Sequence, residues 1–418
     1  MDIKITGDWQ FSVDGKVFDV IPPEPRSVCG ELHRGCYGKD AYSTPNWTSG
    51  QRLLYTVTYE TSLPDSLVPG SVVLKDEAGN LLEEGVDYAV CWKWGTFWIL
   101  GGGRQSPGCT VIADYQYRWQ RVDAVFQDGA GNLRYAKGEY ASSCPAIPEA
   151  LEGERRLLNI RVLPEMPKLE MTAIFPVLVD EFDDTEWEKV VSAQQKLIPA
   201  AIGKLQRGET LRIFAWGDSI TEGAFLRHCH RWQNRLVEWL RTEYPRATIE
   251  LDTLAWGGRR MRTFRDEPAG SPWNYKEQVL PRAEKADLVI SEFNNDQGEP
   301  LDFLQEQYSQ VLADFRARNA EWIILSSNYS MPAWMPFPEG KQTEQGDWLL
   351  EDPRDAMHFM KRFAAENGLP FADGACEYGR IWKKGIPYTV LLTNNINHPD
   401  ERGMAYLFQA LKPIFKAQ

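Results

Sequence analysis

The sequence predicts an all-β sandwich or jelly roll over residues 1–183, a helical connector over 184–206, and an α/β domain with a parallel sheet over 207–418. Three observations carry this reading. The first part consists of short Val-, Tyr-, Thr- and Trp-rich runs broken by Gly, Asp, Asn and Pro clusters, with almost no helical period. "DTEWEKVVSAQQKLIPAAIGKLQRG" then turns helical, with Asp184 or Thr185 in the N-cap position. From residue 207 onward, apolar runs alternate with amphipathic ones, the rhythm of βαβ units.

In the β half, the predicted strands lie in "QRLLYTVTYETSL", "GSVVLKDEAGNLLEEGVDYAVCWKWGTFWIL" and "CTVIADYQYRWQRVDAVFQD". The clusters "DEAGN" and "DGAGN" mark turns, because Asp, Asn and Gly accept turn geometry at low cost. In the α/β half, "LRIFAWG", "TIELDTLA", "DLVISEF", "EWIILSSN" and "LPFADG" read as strands. Between them, "RWQNRLVEWLRTEY", "NYKEQVLPRAEKA" and "PLDFLQEQYSQVLADFRARNA" read as helices. "DPRDAMHFMKRFAAENG" is a further helix, opened at Asp352–Pro353 and closed by Gly368, and "DERGMAYLFQALKPIF" is the last.

Composition narrows the function classes. At 418 residues the chain is comfortable for two domains, and 43% hydrophobic with 25% charged residues is ordinary for a globular protein. A net charge of −13 argues against nucleic acid as a partner, since phosphate calls for a basic footprint. No run approaches the ~20 apolar residues of a membrane span. "MDIKITGDWQ" lacks the basic start and apolar centre of a signal peptide, so the expected location is cytoplasmic, or secreted if a signal has been removed. Seven scattered cysteines without a CxxC pair read as free thiols. His228 and His230 in "RHCHR" have no clustered partner ligands, so neither a metal nor another cofactor is expected.

Ligands of parallel sheets bind beyond the carboxyl ends of the strands. The first strand there ends in "GDSIT", placing Ser219 at the expected position for chemistry. A serine needs a base within hydrogen-bond reach, and His398 stands just before the last helix. Acyl transfer also needs donors aimed at the developing oxyanion. The N–H groups of Ser219 and of the glycine turn at Gly258, with the Asn295 side-chain amide, would supply them.

Four blocks together resemble the GDSL or SGNH hydrolases: "GDSIT", "GGRRMRTF" with Gly258, "FNND" with Asn295, and "NNINHPDERG" with His398. The resemblance covers roughly residues 207–418. It implies a three-layer α/β/α fold and ester hydrolysis through an acyl-enzyme on Ser219. The sequence departs from the family twice. Phe293 occupies the usual glycine of the third block and reshapes at most the pocket wall. Asn395 occupies the position of the triad acid. A neutral amide cannot stabilise an imidazolium by charge, and in a serine protease the corresponding change costs about 10⁴ in rate. Three readings follow: a Ser219–His398 dyad oriented by Asn395 or a backbone carbonyl, a substitute acid such as Asp400, or an inactive site.

"GGRRMRTF" is also similar to the second block of rhamnogalacturonan acetylesterases, and a β domain in front of an SGNH domain resembles two-domain carbohydrate esterases. The connection 328–348 is aromatic and polar, not the aliphatic cap a long acyl chain needs. The expected substrate is therefore an acetylated polysaccharide or oligosaccharide. Asp218, Arg259, Trp334 and Trp348 are the candidate substrate contacts. Arg259 also reads as one of several solvated arginines balancing Asp266 and Glu267, and the tryptophans also read as packing their own loop. Two other functions stay open: an esterase or thioesterase of small metabolites, and a glycan-binding protein built on a weakened esterase. The sequence leaves the oligomeric state open.

Overall fold

The computed structural model describes residues 1–39, 49–183, 185–336 and 353–417. The chain forms two compact units, one of Met1–Leu178 with Lys384–Ile396, the other of Val179–Lys383 with Asn397–Gln418. The expected boundary near 183 thus falls at 178/179. The first unit also takes back a strip of chain from the far end of the sequence, which local patterning does not reveal.

In the first unit, all strand pairings are antiparallel among the described residues. They build four small sheets of three or four strands among the described residues. Strand Val111–Tyr117 shows why strands form here: alternate residues Val111, Ala113, Tyr115 and Tyr117 are buried. They meet Leu53, Leu74, Phe97 and Ile99 in one core, while Phe11, Val125, Leu158 and Ile160 centre a second. "QRLLYTVTYETSL" is mostly not a strand. After Gln51–Arg52 it bends into a 3-10 turn at Leu54–Thr56, where the Thr56 hydroxyl donates to the carbonyl of Leu53 at 2.8 Å. Short hydroxyl side chains compete in this way with ladder bonding.

The second unit carries a parallel five-stranded sheet in the order Thr248–Ala255, Thr210–Gly217, Leu288–Glu292, Glu321–Leu325, Phe371–Ala372. Its helices pack Trp216, Phe264, Tyr308, Trp322 and Phe363 into one aromatic core. The helices Thr185–Ser192 and Pro199–Arg207 belong to this unit; the second buries Ala201, Ile202 and Leu205 and is closed by Gly208 at φ 75°. Trp232–Glu243, Leu301–Arg316, Asp355–Asn367 and Glu401–Leu411 fall where the 3.6-residue period places them. Helix Gly374–Lys383 lies in a stretch the sequence reading leaves blank. Among the described residues, no helix is long and apolar enough to cross a membrane.

Candidate active site

Strand Thr210–Gly217 is almost wholly buried and delivers its last residue to the edge of the core. The chain then turns at once into the short helix Ser219–Glu222. Asp218 caps that helix, its Oδ1 accepting the N–H of Ile220 at 3.1 Å. Ser219 is thereby fixed at the carboxyl end of a central strand, and its Oγ lies 2.9 Å from Nε2 of His398. That distance suits direct proton transfer. The histidine comes from the turn before helix Glu401–Leu411, and the Phe225 ring stacks on it with centroids 4.6 Å apart and planes 6° from parallel.

The loop after the neighbouring strand brings two glycines. Gly258 adopts φ 70°, a left-handed conformation that glycine enters freely. Gly257 is the one packed against the serine: a Cβ there would sit 2.9 Å from Oε2 of Glu222 and 3.6 Å from Cβ of Ser219. Asn295 lies in the 3-10 turn Asn294–Gly298 that follows strand Leu288–Glu292. Its backbone N–H and its Nδ2–H both donate to Oδ2 of Asp218, at 2.9 and 2.7 Å. An amide nitrogen carries two protons, so one remains to point elsewhere.

Asp218 was expected against substrate; it is instead fully buried, and its carboxylate is taken up by Asn295 and Ile220. Burial pushes its pKa up to about 6, against the donors from Asn295 and Ile220 and the pull of His398. Two more buried acids stand close behind. Burial, and then the Asp218 carboxylate, push Glu292 well above the usual carboxylate range. Burial raises Asp296 to about 7, although the N–H of Met261 donates to it at 3.0 Å.

The remaining expectations fall out differently. Asn395 sits at φ 55°, and its amide is engaged inside the first unit: Oδ1 accepts from Gln120 Nε2 at 2.9 Å, and Nδ2 donates to the Ser142 carbonyl at 3.0 Å. Asp400 caps helix Glu401–Leu411, accepting from the N–H groups of Arg402 and Gly403, each at 2.9 Å, and pairing with the Arg402 guanidinium. Phe293 belongs to the core. It is buried edge-on against Trp216 at 4.9 Å, filling core where a glycine would leave space. Arg259 lies over the Trp256 ring at 4.4 Å, and Trp256 stacks on Trp273 at 5.1 Å. Arg260 pairs with Glu299 at 2.6 Å. Trp334 is 42% exposed in the turn Pro332–Trp334. Trp348 lies outside the described residues. His230 Nε2 lies 3.2 Å from Glu401 Oε2.

Sequence reasoning finds the Gly257–Gly258 turn but not Phe225 or Glu292. Glu292 was visible as a lone acid closing an apolar strand.

Residues 215–406 match the GDSL-like lipase/acylhydrolase family. This segment is a GDSL-like acylhydrolase domain. It contains Ser219, Gly258, Asn295 and His398 in block order. No curated protein matches the chain. Among solved structures, the acylhydrolase domain's chain is similar to a two-domain esterase (CEX) active on acetylated mannans, at 17% identity and a TM-score of 0.40. That likeness covers 52% of each chain, so this chain spans about half the length of the esterase. It is also similar to the acetylxylan esterase Axe2 of Geobacillus stearothermophilus, at 17% identity and a TM-score of 0.38, over 50% of this chain and 95% of that one. A third similar structure is TesA, at 18% identity and a TM-score of 0.35, over 49% of this chain and 98% of that one.

Proposed function

We propose that the chain is a carbohydrate esterase that removes O-acetyl groups from a polysaccharide or oligosaccharide through an acyl-enzyme on Ser219. The observation that carries the chemistry is the 2.9 Å approach of Ser219 Oγ to His398 Nε2, beside an Asn295 amide fixed by a buried carboxylate. In this reading Ser219 Oγ attacks the acetyl carbonyl while its proton passes to His398 Nε2. The carbonyl oxygen becomes an oxyanion facing the free Nδ2–H of Asn295 and the N–H groups of Ser219 and the glycine turn. The tetrahedral centre collapses, the sugar oxygen leaves, and the imidazolium returns the proton to it. Water then repeats the sequence on the acetyl-serine and releases acetate.

Asn395 and Asp400 are both engaged by partners other than the imidazole. Asp218 is the buried carboxylate whose charge acts on His398. A charge in such a poorly screened place reaches further than it does in water. In this reading His398 is the base of the Ser219–His398 pair.

The carbohydrate part of the proposal rests on the second block, "GGRRMRTF", and on the aromatic groups around it. Trp256, Trp273 and Arg259 form a stacked set next to Gly257 and Gly258. Trp334 stands exposed on the connection beginning at Asn328, whose amide donates to the Asn397 carbonyl beside the base at 2.9 Å. Flat rings suit the apolar faces of sugars. Acetate release from a panel of acetylated xylans, mannans and pectins, set against acyl-thioesters and long-chain esters, tests the proposal. Preferred turnover of one acetylated glycan is expected. Turnover of thioesters alone would transfer the site to small-metabolite chemistry.

A further inference from the structure

We propose that Glu292 is a positioning residue: its carboxyl, buried beneath the serine turn, ties Thr221 in place and thereby holds Ser219 in reach of His398. The inference rests on the Ser219–His398 reading above. Glu292 ends the central strand and stands in register with Gly217, the residue before the turn. It grips the turn on both sides of the serine. Its backbone carbonyl accepts the N–H of Asp218 at 3.3 Å, and its Oε2 accepts the hydroxyl of Thr221 at 2.9 Å. The Thr221 carbonyl in turn accepts Nε2–H of Gln233 at 2.7 Å, which anchors the turn to helix Trp232–Glu243. There is no slack in this arrangement: a Cβ on Gly217 would sit 2.3 Å from both the Glu292 carbonyl oxygen and Thr221 Oγ1.

A fully buried carboxyl is an expensive way to fill space, because burial without hydrogen bonds is costly. An aliphatic residue would pack there more cheaply and would leave the Thr221 hydroxyl without its acceptor. Burial and the adjacent Asp218 carboxylate push Glu292 well above the usual carboxylate range. Glutamine keeps the shape of this side chain and the accepting oxygen: its amide oxygen can accept from Thr221 as Oε2 does.

The test measures kcat and KM on 4-nitrophenyl acetate for Glu292→Gln, Glu292→Leu, Thr221→Val and the double variant Glu292→Leu/Thr221→Val, with melting temperatures alongside. A serine displaced by a fraction of an ångström loses rate and not substrate binding. Thr221→Val is expected to lower kcat about 10- to 100-fold with KM within about twofold. Glu292→Gln should stay within about threefold of wild type, and the double variant should be no slower than Thr221→Val, because both changes cut one link. A folded Thr221→Val enzyme with wild-type kcat overturns the proposal. So does a folded Glu292→Gln enzyme as slow as Glu292→Leu. If Glu292→Leu does not fold, the other two single variants decide. Failure of the underlying reading shows separately, as undiminished turnover in Ser219→Ala.

Discussion

Replacing Asn395 with aspartate restores the acid that the family pattern carries at this position. On pattern alone, the change should keep or raise activity, since it adds charge without changing size. The structure reverses that expectation. Nδ2 of Asn395 donates to the Ser142 carbonyl at 3.0 Å, and a carboxylate has no proton to give. The carbonyl would keep only the longer 3.3 Å bond from Gln120 and would face a like-charged oxygen. Gln120 still donates to the other oxygen, so part of the network survives. The φ of 55° does not separate the two residues, because Asn and Asp both tolerate it. Losing the shorter of the carbonyl's two hydrogen bonds costs about 0.5–1.5 kcal/mol. For a unit of this size, that lowers the melting temperature by about 1–6 °C. The loss should depend on pH with a definite sign. Burial raises the folded pKa of the new carboxyl above its unfolded value. Its protonated form can donate to Ser142, so the deficit is small below the unfolded pKa and grows as pH rises through the folded one. Scanning fluorimetry of both proteins from pH 4 to 8, with aryl acetate turnover at each pH, measures this. An Asn395→Asp enzyme that melts no lower at pH 7 and turns over faster would refute the reasoning. It would mean that residue 395 serves the imidazole and not Ser142.

Further outcomes follow from the same geometry. Asn295→Ala removes an oxyanion donor and should lower kcat about 10²–10³-fold while KM changes little; a change confined to KM would deny it that role. Asp218→Asn leaves one acceptor oxygen where Asn295 and Ile220 supply three N–H groups, and kcat should fall at least about tenfold in stopped-assay turnover, with the fold intact by circular dichroism. Because Asp218 titrates at about 6, its hold on Asn295 weakens as pH falls through that value, so the acidic limb of kcat should lie near 6 and move in Asp218→Asn. Gly217→Ala places a methyl 2.3 Å from Glu292 O and Thr221 Oγ1, and should destabilise by about 1–3 kcal/mol or more in urea unfolding.

The parts of this molecule that are legible in its sequence are those set by local pattern. The strand "LRIFAWG" and the helix "PLDFLQEQYSQVLADFRARNA" announce themselves because burial follows their own periodicity. Ser219, Asn295 and His398 are legible because each closes or follows a strand or opens a helix in a recognisable block. Long-range placement is not legible. Nothing local says that Lys384–Ile396 returns to the first unit, or that Gln120, 275 residues earlier, holds the Asn395 amide. The antiparallel β character of the first unit is legible from its short strands and frequent turns, whereas its division into four small sheets is not. Helix Gly374–Lys383 is hard to read because "GACEYGRIWK" carries two glycines; Asp373 caps it, its Oδ1 accepting the N–H of Cys376 at 3.0 Å, and the helix buries Tyr378, Ile381 and Trp382. Asp218 was placed against substrate because an acid at a strand end looks exposed. Its burial follows from contacts with Asn295, 77 residues away.

Ser219 is proposed as the nucleophile and His398 as its base. The most direct measurement is incubation with a serine-reactive phosphonate, followed by peptide mapping of the adduct by mass spectrometry. The account expects a single adduct on Ser219, absent in Ser219→Ala and formed far more slowly in His398→Ala, with acetate release lost in step. An adduct on another residue, or full acetate release by folded Ser219→Ala, would contradict it.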